Sequence, residues 1–90
     1  MKSVWKYPLT AEDNIVLALP LGVEPLCVQI QHDEPQLWCL VDPQESACTP
    51  REFRHAGTGH PIAENNLKYI GSYQLFGGGF VGHLFEVVRR

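Results

Sequence analysis

Proline is the strongest constraint on this chain. Seven prolines, at positions 8, 20, 25, 35, 43, 50 and 61, interrupt its 90 residues. Each lacks a backbone donor and clashes with the preceding turn of a helix, so no long helix fits between them. The stretches left over read as short strands at Val4–Leu9, Asn14–Leu19, Leu26–Gln31, Gln36–Val41, Glu52–Ala56, Lys68–Phe76 and Phe80–Val88, with one helical turn at Ala63–Leu67. Their regular spacing predicts an all-β fold. We expect a small antiparallel β-barrel or sandwich of about six or seven strands with at most one short helical turn. At 10.1 kDa the chain has room for one core, so residues 1–90 are expected to form a single β domain.

Charge and composition narrow the function classes. The net charge of −3 gives no basic stripe, which argues against a general nucleic-acid binder. A hydrophobic content of 44% excludes wholesale disorder. No apolar run is longer than Ile15–Leu19, which stops at Pro20 and is too short to span a membrane. Met1–Tyr7 holds no apolar h-region, so no secretory signal is expected. Cys27, Cys39 and Cys48 cannot all pair within one chain, which fits free thiols in a reducing cytoplasm. None sits in a CxxC pair or at zinc spacing from the four histidines, so no metal site is expected.

Two hairpins can be argued to register. A tip at Asp33-Glu34 sets Leu26 against Val41, Val28 against Cys39 and Ile30 against Leu37, with Cys27 and Cys39 on opposite faces. A three-residue loop at Gly77–Gly79 pairs Phe76 with Phe80. Tyr73 then faces His83 and Gly71 faces Phe85, on what should be the core side. Phe76 and Phe80 remain at an apolar tip that can serve as a contact surface.

The stretch Arg51–Pro61 is the most unusual chemically. A strand carrying Arg51 and Arg54 runs into Gly57-Thr58-Gly59-His60, closed by Pro61. Two glycines let backbone N–H groups curl into an anion-holding nest, and Thr58 adds a hydroxyl. Arg51, Arg54, His55 and His60 supply charge-assisted donors for a phosphate. The plainer reading is a tight turn with His60 at a solvated corner. The stretch is not a P-loop, for it lacks the GxxxxGK[ST] spacing. Trp5 and Trp38 are candidates for stacking a base, with plugging the ends of a β core as the alternative. No serine lies in a GxSxG elbow, and no carboxylate pair looks like a general acid and base, so no catalytic residue and no enzyme activity is expected.

Four blocks carry a resemblance: Val4-Trp-Lys-Tyr-Pro-Leu9, Gln36-Leu-Trp-Cys-Leu-Val-Asp42, Gly57-Thr-Gly-His-Pro-Ile62 and Phe80-Val-Gly-His-Leu-Phe-Glu86. In order and spacing the chain resembles a family of small uncharacterised proteins of phage and prophage genomes. Gly82 departs from its pattern, in which a tryptophan precedes the histidine. The family has no assigned activity and transfers no site residue. It implies a short accessory protein made in the cytoplasm of an infected bacterium, and by association a counter-defence role.

Two classes of function follow as expectations, neither needing a cofactor. One is a non-enzymatic sponge: a homo-oligomer sequestering a cyclic or ADP-ribose-type immune signalling nucleotide. Arg54, His55, Thr58, Gly59 and His60 would hold its phosphate, and Trp5 or Trp38 would stack its base. The alternative is a protein–protein inhibitor of a host defence complex, or else a virion or assembly component.

Overall fold

The computed structural model describes residues 1–88. Seven strands form two antiparallel sheets: β1 (Ser3–Pro8), β2 (Asn14–Pro20), β3 (Glu24–Gln31), β4 (Glu34–Val41), β5 (Cys48–Gly57), β6 (Leu67–Leu75) and β7 (Phe80–Val87). A three-stranded sheet has the order β1-β4-β3, and a four-stranded sheet the order β2-β5-β7-β6. The two face each other as a sandwich, with β3 packed along β6 on one side. Fully buried side chains from both inner faces fill the space between them: Leu19, Leu37, Cys39, Val41, Phe53 and Leu84. No helix among the described residues is long and apolar enough to cross a membrane.

The prolines turn out to end strands more often than to separate them. Pro8 and Pro20 close β1 and β2, while Pro25 and Pro35 stand second in β3 and β4. Pro50 lies inside β5, opposite Ala18 of β2, but β7 joins β5 only from Phe53 onward. Pro50 therefore removes no ladder bond on that side, where a proline is tolerated.

Both hairpin registers differ from expectation, and for a shared reason. The β3–β4 tip is His32-Asp33, with φ of 54° and 63°, as a two-residue type I′ turn requires. Asp and His enter this left-handed region more readily than most side chains. Val28 therefore pairs with Leu37 and Ile30 with Pro35, two positions from the expected partners. An even slip keeps every side chain on its face. Cys27 and Cys39 still point apart, and all three cysteines are free.

The β6–β7 loop has four residues. Phe76–Gly78 form a 3-10 turn, with Phe76 itself at φ 55°. Leu75 pairs with Phe80, a slip of one, which reverses the faces of β7. Gly82, Leu84 and Glu86 point into the sandwich, and His83 points out. The space that fixes this register is at Gly82. A Cβ there would lie 2.4 Å from Cζ of Tyr73, so only glycine lets that ring lie flat across β7. No helical turn forms at Ala63–Leu67. Asn66 exchanges bonds with Val88 through both backbone and side chain, which holds the end of that loop extended.

Candidate functional site

The Gly57–His60 segment is a tight turn: His60 N–H donates to Gly57 O at 3.0 Å, and Gly59 takes φ 86°. Thr58 N–H donates to Val81 O at 3.2 Å. Two of the donors that an anion nest would use are thus bonded within the fold. The Arg54 guanidinium is likewise engaged, by Glu64 at 3.1 Å, by Pro61 O at 3.3 Å and by His55 O. The Thr58 hydroxyl turns to the outer face and meets His83 Nε2 at 2.7 Å.

His55 and His60 come together where the sandwich opens at one end. A cleft of about 800 Å³ lies there, within the usual range for small-molecule sites. Four segments distant in sequence build it: the β1–β2 loop, the start of β4, the end of β5 with its turn, and the β6–β7 tip. Leu9, Pro35, Tyr73 and Leu75 give it apolar walls, and Phe76 and Phe80 stand at the hairpin tip. Its polar lining includes His55, His60, Asp13 and Glu34, and no Lys or Arg. His55 is buried and its Nε2 lies 2.6 Å from the Tyr73 hydroxyl. Burial pushes its pKa below 6.5, although the backbone carbonyls of Glu12 and Thr10 act in the opposite direction. The Tyr73 ring meets His55 edge-on at 5.3 Å and Phe80 at 6.3 Å, so three aromatic rings run along one wall.

Trp5 and Trp38 lie elsewhere. They line a shallow groove of about 490 Å³ on the three-stranded sheet, with Val4, Lys6, Tyr7 and Gln31. Trp5 pairs with Cys39 and so sits on the inner face. Lys6 pairs with Trp38 on the outer face. The Lys6 ammonium stands 6.0 Å from the Trp38 ring centroid and donates to Gln31 Oε1. The Trp38 indole N–H is buried without a partner. The expected site residues therefore fall in three places. His55 and His60 are in the cleft, Arg54 and Thr58 are tied into the outer face and its turn, and the tryptophans are in the groove. Neither the cleft nor the groove is lined by both the tryptophans and the Gly57–His60 turn.

The reversed face of β7 creates one cluster that sequence reasoning missed. Tyr69 Oη bonds Ser72 Oγ at 2.7 Å, Ser72 Oγ bonds His83 Nδ1 at 2.6 Å, and Thr58 occupies Nε2. His83 was expected beside Tyr73 on the core side. Gly82 was the available signal, since a glycine opposite an aromatic marks where a ring crosses the strand. Hydroxyls flank both imidazole nitrogens, and neither the cleft nor the groove is lined by Ser72 or His83.

Arg51 and Glu86 form an ion pair on the inner face, and Arg51 also donates to Val23 O at 3.3 Å. Burial raises the nearby Cys39 thiol to about 11, so it stays protonated at neutral pH. Among the described residues no group of three or more His, Cys, Asp or Glu is placed to hold a metal ion.

A family model described as a domain of unknown function (DUF7352) matches residues 1–90. No curated protein matches the chain. No solved structure matches it either.

Proposed function

We propose, from the premise that the chain belongs to the DUF7352 family of unknown function, that it is a non-catalytic binding protein whose ligand enters the inter-sheet cleft. The observation that carries this reading is the cleft itself: about 800 Å³, with aromatic and aliphatic walls and a few convergent polar groups. A planar base fits against Tyr73 and Phe80, with His55 and His60 within reach of its edge. Asp13 and Glu34, both exposed, disfavour a phosphate on their side of the mouth, so the phosphates of a nucleotide lie beside His60. The resemblance to phage and prophage proteins supplies the context. On this reading the protein works in the infected bacterial cytoplasm and sequesters a cyclic or ADP-ribose-type immune signalling nucleotide.

The test is a thermal-shift series with nucleosides, cyclic nucleotides and ADP-ribose-type compounds. Ligand at ~100 times its dissociation constant adds about 2.7 kcal/mol. For a domain of this size that raises Tm by roughly 10 °C or more. Phe80→Ala should abolish the rise and Trp38→Ala should keep it. A flat response across the panel overturns the reading. A second reading, a protein inhibitor that docks through the hairpin tip, is favoured by Phe76, which is 85% exposed. In that case Phe76→Ser or Phe80→Ala at the tip abolishes capture of the partner, while His55→Gln inside the cleft leaves it intact.

A further inference from the structure

Among the described residues, β1 is hydrogen-bonded on one side only, to β4. The protein's four edge strands are not equally protected. β3 and β6 each carry a bulge, at Pro25/Cys27 and at Tyr69/Gly71, which twists an edge away from further pairing. β1 pairs with β4 through six consecutive residues without irregularity. Lys6 is the only charged residue in β1, and its ammonium is drawn across the sheet to Gln31 and Trp38 rather than left to guard the edge.

Apolar side chains are uncovered on both faces of this strand, Val4 at 54% outside and Trp5 at 43% on the core side. β2 is regular too, but its core-facing Ile15 and Leu19 are already buried. At β1, by contrast, the core is left open beside Trp5.

We propose that β1 pairs antiparallel with β1 of a second copy, about a two-fold axis at Trp5. A two-fold normal to the sheet places like faces together, so the axis passes at an odd or an even residue of β1. Centring on Lys6 sets two ammonium groups opposite each other, which is unfavourable. Centring on Trp5 sets Trp5 against its own copy on the core side, and Val4 against Lys6 of the second copy outside. Each indole then covers the open flank of the other core, and the three-stranded sheets merge into one. Pro8, which has no donor, falls at the end of the new ladder, where none is needed. The pairing is independent of what the cleft holds.

Sedimentation equilibrium from micromolar to submillimolar concentration tests it. The wild-type chain should show twice its 10.1 kDa mass. Val4→Lys, which leaves the core untouched, should raise the dimer dissociation constant about tenfold or more, because it sets a lysine against Lys6. Val16→Lys, at a β2 position 63% exposed, should associate like wild type. Circular dichroism confirms that both variants are folded. A wild-type chain that stays monomeric throughout, a Val4→Lys variant that associates like wild type, or dissociation by Val16→Lys each overturns the proposal.

Discussion

Gly82→Ala is the sharpest test of the register of β7. The added methyl would stand 2.4 Å from Cζ and 2.6 Å from Oη of Tyr73, far inside contact distance. That same hydroxyl end of the ring is held by His55 Nε2 at 2.6 Å, so it cannot move away from the methyl without giving up that bond. Overpacking of this kind costs about 1–3 kcal/mol. Leaving the buried His55 nitrogen unsatisfied adds about 1–3 kcal/mol. We expect a total near 3 kcal/mol, against a stability of about 5–13 kcal/mol for a domain of this length. Tm should fall by roughly 10–20 °C. Urea unfolding followed by circular dichroism gives the free energy directly. Repeating the substitution in a Tyr73→Leu background isolates the cause, since leucine has no ring atoms at the clash. There Gly82→Ala should cost at least ~1 kcal/mol less. An effect of Gly82→Ala below ~0.5 kcal/mol, the size of an ordinary surface change, would refute the reasoning and return Tyr73 to a partner other than Gly82.

Two further outcomes follow from the inner-face polar groups. Arg51→Ala leaves the Glu86 carboxylate, with its side chain 9% exposed, without its cation, and should cost about 3 kcal/mol in urea unfolding; the paired change Arg51→Met with Glu86→Leu should recover most of it. His55 has a folded-state pKa below the unfolded value of 6.5, so the unfolded chain takes up this proton first; stability is full above pH 6.5, falls as pH drops towards the folded value, and in His55→Gln should lose that part of its pH dependence.

Strand positions were legible because alternation and proline spacing are local signals, and β2 was placed to within one residue. The registers were not legible, because they depend on which side chains accept a left-handed backbone. His32 and Asp33 accept it with modest cost, but Phe76 at φ 55° does so only because the loop and its glycines hold it there. One residue of slip at that loop moved His83 from the expected core to the outer face, and with it the Tyr69–Ser72–His83–Thr58 cluster. At Gly57–His60 the two glycines made a tight turn legible, but not that two of its backbone donors would be spent on Gly57 and Val81. The cleft could not be read from the sequence at all. It is assembled from four loops and strand ends whose proximity is set only by how the two sheets stack.

The aromatic residues also make the molecule its own instrument. Both of its tryptophans, Trp5 and Trp38, border the β1 groove, whereas the cleft is lined by Tyr73, Phe76 and Phe80. Light selectively absorbed by indole therefore monitors the sheet edge and little else. Filling of the cleft registers instead at Tyr73, the one tyrosine of its lining, whereas Tyr7 belongs to the groove. Association and ligand uptake can be followed separately in one cuvette, without attaching a dye to either surface.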